Sequence, residues 1–150
     1  MSLLPNSMSF RLVTTLTVRS KSEVPDGFTG RVVTTIDGVV QTVSWLTRGE
    51  LEDPAPRTPA YQVLRGNGKV KQVRHYRAGR LHDPAPGVAA VQGFYPDGSR
   101  KYEEHFRYGN RHDHAERPAI RKWRSDGALR SERHYYEGLR IELVDAVATA

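Results

Sequence analysis

The sequence predicts an all-β fold: an antiparallel meander of tandem β-hairpin repeats, about four units of thirty residues, laid out as a single-layer twisted sheet. Two observations predict it. The stretch HYRAGRLHDPAP, His75 to Pro86, returns as HFRYGNRHDHAE, His105 to Glu116, and self-similarity at a fixed period is the signature of a repeat architecture. Glycine carries the register. Gly38, Gly68, Gly98 and Gly127 form one series, and Gly49, Gly79, Gly109 and Gly138 form a second, each eleven residues after its partner, with the last unit one residue short.

Residues 1–29 form the entry. RLVTTL at Arg11 to Leu16 is echoed by RVVTTI at Arg31 to Ile36, and β-branched runs of this kind read as strands. An N-terminal strand is therefore expected to pair with the first repeat and cover the open sheet edge, with KSEVPDG, Lys21 to Gly27, as the turn between. Residues 30–140 hold the four units. In each, the first glycine closes an Asp-Gly or Asn-Gly pair, as in IDGV, GNGK, PDGS and SDGA. Such pairs suit hairpin turns whose central residues take positive φ, so turns are expected at Ile36 to Val39, Gly66 to Lys69, Pro96 to Ser99 and Ser125 to Ala128. The incoming arms carry Leu64, Phe94 and Trp123, the outgoing arms end in Tyr76, Phe106 and Tyr135, and the six are expected to form one apolar row. The second glycine stops the outgoing arm, and proline-rich connectors such as LEDPAPRTP and LHDPAPGV follow, where proline keeps the chain out of the ladder. Residues 141–150, IELVDAVATA, read equally as a last strand, a helical cap or a tail.

Composition sets limits on function. A chain of 150 residues with 37% hydrophobic and 9% aromatic content makes one domain with a thin core. The absence of cysteine excludes thiol catalysis, disulfides and cysteine-ligated zinc, and permits a reducing compartment. MSLLPNSMSFRLVTT lacks an apolar run long enough for a secretion signal or a membrane span, so the expected location is the cytoplasm. Net charge is +6, and most of the 23 basic residues are arginine, a bias that favours bidentate contacts to carboxylate or phosphate.

The residues that could carry chemistry have plainer explanations. His75, His105 and His134 hold equivalent places in successive units. Two strands per unit at about 4.8 Å set such histidines roughly 10 Å apart, too far for one metal ion; they are expected to lie on the sheet and cover neighbouring aromatics. His112, Asp113 and His114, with His82 and Asp83 at matching places, have metal-compatible types at loop positions, yet no metal site is expected there. Glu103 and Glu104, with Glu132, read as a charge ladder across the sheet, not as paired catalytic acids. No serine sits in a nucleophile elbow, and the glycines are explained by turns. No catalytic residue and no cofactor follow. A tentative binding face remains: Tyr76, Arg77, Tyr102, Phe106, Arg107, Tyr108, Arg133 and Tyr135.

The tandem units YPDG…HFRYG and RSDG…HYYEG, an Asp-Gly hairpin followed by aromatic-x-x-Gly, resemble MORN-type repeats, in particular the variant arrays of bacterial and phage proteins. The likeness covers Gly30 to Arg140, with a period longer than the standard repeat and with Trp45-Leu46 in place of the later His-aromatic pairs. It implies antiparallel hairpins used for scaffolding, self-association or docking a partner, with lipid binding proposed for some members and an antitoxin-like role for others; it implies no catalytic site. The expected function is therefore a non-catalytic module for protein–protein interaction or homodimerisation, with no small-molecule substrate. Its alternative is an electrostatic binder of nucleic acid or anionic membrane, whose arginines and tyrosines would pair with phosphates and stack on bases.

Overall fold

β-Branched runs and glycine turns give fifteen strands in the computed structural model, which describes residues 13–115 and 117–142. The entry strand β1 (Thr15–Val18) is followed by a 3-10 turn at Lys21–Glu23, where the Ser20 hydroxyl and the Glu23 carboxylate cap each other's backbone. Then come β2 (Gly30–Ile36), β3 (Val39–Thr47) and the short β4 (Glu50–Leu51). The next copy of the period contains β5 (Tyr61–Leu64), β6 (Val70–Arg74), β7 (Tyr76–Arg77) and β8 (Arg80–Leu81). After it lie β9 (Val91–Phe94), β10 (Arg100–Glu104), β11 (Phe106–Arg107) and β12 (Asn110–Arg111). The last strands are β13 (Ile120–Trp123), β14 (Leu129–Tyr136) and β15 (Leu139–Ile141).

The architecture is all-β with a largely antiparallel, open sheet. Its main path runs β1-β2-β3-β5-β6-β9-β10-β13-β14-β15, with β4 paired to β3, while β7-β8 and β11-β12 form two small hairpins beside it. One pair breaks the antiparallel expectation. β1 lies parallel to β2, Thr15 opposite Arg31 and Val18 opposite Thr34, so the echo between RLVTTL and RVVTTI does not pair residue for residue. Residues 1–12, with Arg11 and Leu12 of the echo, and 143–150 lie outside the described residues; of the last segment only Ile141, in β15, and Glu142 are described. No helix among the described residues is long and apolar enough to cross a membrane.

The turns invert the expectation about glycine. Only the first Asp-Gly pair, Asp37 and Gly38, has both residues at positive φ (51° and 77°). In the next three turns glycine alone is left-handed, and Asn67, Asp97 and Asp126 each accept the backbone N–H two residues on, at 2.8 to 3.0 Å. Asp or Asn is there for its side-chain oxygen. The Ser99 hydroxyl, then its N–H, also hold the Asp97 carboxyl below its ordinary range. Each of the four turns is followed by a register shift of one residue, at Gln41, Lys71, Lys101 and Arg130, the extra residue of a β-bulge.

The second glycine does not stop the arm. It completes a two-residue turn of the kind expected at the first one: Arg48-Gly49, Ala78-Gly79, Tyr108-Gly109 and Glu137-Gly138 all have positive φ at both positions. These turns fold the chain back into β4, β8, β12 and β15. Each turn also rests on the preceding one. Gly79 N–H donates to Leu51 C=O, Gly109 N–H to Leu81 C=O and Gly138 N–H to Arg111 C=O, at 2.8 to 3.0 Å.

Strand alternation and the cross-strand register divide the side chains between two faces. Tyr61, Arg74, Val91, Tyr102, Glu104, Ile120 and Arg133 share one face; Gln62, Val73, Gln92, Glu103, Arg121 and Glu132 share the other. Phe106 packs with Ala90 and Val91, and Leu81 and Tyr102 close over them. Gly93 is required by this packing, because a Cβ there would stand 2.2 Å from the Tyr102 ring that lies across it. Leu64, Phe94 and Trp123, one residue out of phase, fall on the opposite face, where Arg100 and Arg121 cover the Trp123 ring at 4.5 and 5.8 Å. The expected single apolar row is thus two rows, one per face.

Ala78 holds a left-handed φ of 47° without glycine's freedom or asparagine's side-chain hydrogen bond. Ala78→Asn should raise unfolding free energy by about 0.5–1 kcal/mol in a urea titration; an unchanged or lower midpoint contradicts the turn assignment.

Candidate functional site

Each connector between β-arms is anchored by one carboxylate. Asp83 Oδ1 accepts the N–H groups of Ala90, 2.8 Å away at the far end of its own connector, and of Phe106, 3.0 Å away in the next arm; Oδ2 accepts His105 Nδ1–H at 2.6 Å. Asp53 does the same for Ala60, Tyr76 and His75, and Asp113 for Ala119, Tyr135 and His134, with every distance within 0.1 Å of its counterpart. Ala60, Ala90 and Ala119 are fully buried, and their carbonyls accept Trp45, His75 and His105 N–H at 2.7 Å.

Each of the three histidines is clamped to its own aspartate, and among the described residues none stacks on a Tyr, Phe or Trp ring. His105 is fully buried, and its Nε2 has no partner among the described residues. His112 Nδ1 accepts the Glu137 N–H at 3.1 Å, and the His114 ring stacks on His105 with centroids 5.9 Å apart. Sequence reasoning missed Asp53 altogether and read Asp83 and Asp113 only as metal-compatible. The signal was present: the clamping aspartate precedes its histidine by 22, 22 and 21 residues.

Glu103, Arg121 and Glu132 stand side by side on β10, β13 and β14. Glu103 is buried, 3.9 Å from both Arg100 and Arg121, and Arg121 Nε reaches Glu132 at 3.1 Å. This is a cross-strand charge ladder, with carboxylates engaged by guanidinium groups. Glu104, on the other face, meets Arg111 at 3.3 Å.

The eight residues of the tentative binding face are not brought onto one surface. Tyr76, Tyr102, Phe106, Arg133 and Tyr135 belong to the face of Tyr61 and Val91. Phe106 is buried, and the Arg111 guanidinium lies over Phe106 and Tyr135 at 5.5 and 5.7 Å. The Tyr102 hydroxyl meets Gln72, whose Oε1 accepts Arg74 Nε–H at 2.8 Å. Arg77 and Arg107, one residue out of phase, leave this face for the connector side, and Tyr108 is an exposed turn residue. On the Tyr61 face the sheet is concave beside the entry segment, leaving a trough of about 870 Å3 walled by Val32, Leu46, Leu51, Tyr61, Arg74 and Tyr76.

The chain was compared with protein-family models, with curated proteins and with solved structures. None matches. The site is accordingly read from its own geometry.

On the connector side His82 Nδ1 accepts the Tyr108 N–H at 3.0 Å while the two rings pack at 4.6 Å. Desolvation lowers the pKa of His82, and Arg77 and Arg107 lower it further against the opposing pull of Asp83. Folding thus favours the neutral ring, so its contribution to stability is complete above about pH 6.5 and is lost as pH falls through that value toward the depressed midpoint. Imidazole NMR should show His82 titrating below 6.5; a midpoint at or above it contradicts this environment.

Proposed function

We propose that the chain is a non-catalytic, MORN-like array of hairpin units acting in the cytoplasm as a protein-binding module, with a second copy of itself as the first partner to test. The observation that carries this reading is the trough of about 870 Å3 on the Tyr61 face. It mixes apolar walls with the half-buried polar groups of Arg74 and Thr34, as protein interfaces do. The sheet supports the reading too, since it is open and no helical layer among the described residues lies across it. The engagement of Glu103, Glu132, Asp53, Asp83 and Asp113 in ion pairs and backbone clamps agrees with a binding role over acid–base chemistry. A twofold pairing would present one trough to its own copy as a self-complementary surface.

Light scattering over a wide dilution series should show mass rising with concentration. Tyr76→Asp should weaken that association by about tenfold or more while leaving the β-sheet spectrum intact. A strictly monomeric species at the highest concentration, retained on heparin with a steep salt dependence, contradicts the reading and favours electrostatic binding of nucleic acid or anionic membrane.

A further inference from the structure

Between the connector that begins at His82 and the one that begins at His112, the connector side opens a second cavity, of about 470 Å3, within the size range of small-molecule sites. Arg77, Arg107, His82 and His112 line it, and Pro84 and Pro86 form an apolar wall. Its arginine and histidine side chains offer donors. The Asp83 and Asp113 carboxylates also reach the lining, but each already accepts three N–H bonds inside its clamp. His82 and His112 each accept a backbone N–H at Nδ1, so in the neutral ring the proton sits on Nε2 and is available to donate. Arg77 and Arg107 enter no ion pair among the described residues.

The fold does not demand these residues. Thirty residues earlier, Thr47 and Glu52 stand where Arg77 and His82 stand here, and the Asp53 clamp beside them keeps the same geometry. One copy further on, the place of Arg107 is taken by Tyr136. Two guanidinium groups and three imidazoles, those of His82, His112 and His114, therefore meet at this junction. Paired guanidinium groups present planar, charge-assisted donors that match phosphate oxygens.

We propose that this cavity is a binding site for a phosphate monoester, whose dianionic head is held between Arg77 and Arg107 with His82 and His112 donating from Nε2, and whose organic part rests on Pro84 and Pro86. The inference is independent of the sheet-face reading, since the two cavities share no lining residue.

The full chain is titrated with inorganic phosphate and with glycerol 3-phosphate, followed calorimetrically and by imidazole NMR. Saturable binding of one equivalent is expected, with His82 moving to a higher titration midpoint as the bound dianion offsets the two arginines. Arg77→Thr and His82→Glu import the residues of the preceding junction. Each should weaken binding by about tenfold or more, Arg77→Thr without lowering the unfolding midpoint, and Arg107→Gln should do the same. Arg124→Thr, an equal charge change at an exposed turn, should leave binding unaltered. Sedimentation with vesicles containing phosphatidic acid separates the sources: Arg77-dependent capture on vesicles without response to glycerol 3-phosphate assigns the phosphate to a lipid headgroup, and the reverse assigns it to a soluble ester. Absence of saturable binding to all three probes, or equal weakening by Arg77→Thr and Arg124→Thr, overturns the proposal.

Discussion

The structure depends on one interaction made three times: an aspartate carboxylate that accepts two backbone N–H groups and one imidazole N–H. Buried backbone donors must be paired, and a proline-rich connector has few ways to pair them. Asp53, Asp83 and Asp113 supply the missing acceptors, joining the start of each connector to its end and both to the arm that follows. The charge makes these bonds stronger than neutral ones. It also makes them costly to break, because removing the carboxylate strands three N–H donors at once in a part-buried setting.

Several other features follow from this anchor. The connector is held short and close, a fully buried alanine stands at its exit, and the next strand begins at a fixed distance from the clamp. The paired two-residue turns then stack with Gly79 over Leu51, Gly109 over Leu81 and Gly138 over Arg111. Because the anchors lie to one side, the two faces of the sheet diverge in character. The Tyr61 face keeps aromatics and a trough beside the entry segment; the opposite face carries the Glu103–Arg121–Glu132 ladder and the arginines over Trp123. The last connector is one residue shorter between its aspartate and alanine, six positions against seven, yet the clamp distances are unchanged. The missing residue is absorbed by the loop, which is where the glycine register loses its one position.

Strand content and the positions of the first turns were legible in the sequence because they rest on local sterics: β-branched runs, and Asp-Gly or Asn-Gly pairs that only turns accommodate. What failed to read was nonlocal or off-pattern. Ala78-Gly79 and Tyr108-Gly109 do not look like hairpin turns, since alanine and tyrosine meet a steric penalty at positive φ, and only stacking on the neighbouring turn shows why they adopt it. The bulges at Lys71 and Lys101 shift the register beyond the turn, and Phe94 and Phe106 belong to opposite faces, so an apolar row drawn through both by eye crosses the sheet. The parallel pairing of Thr15–Val18 was hidden by an echo that pointed to a different register. The clamp spans more than twenty residues, so its members were read apart, the histidines as covers for aromatics and Asp83 and Asp113 as metal-compatible loop residues. Arg77 and Arg107 were singled out from sequence together with Tyr76 and Phe106, but adjacent residues of one strand point to opposite sides.

The most direct test of this account is the unfolding free energy of Asp83→Ala, measured by chemical denaturation against the parent chain. Asp83 and His105 are respectively largely and fully buried, so removing the carboxylate should cost on the order of 3–5 kcal/mol, because it strands three N–H donors at roughly 1–3 kcal/mol each. A loss below about 1 kcal/mol, the scale of an exposed pair, would show that the connectors are held by something other than the aspartate clamp.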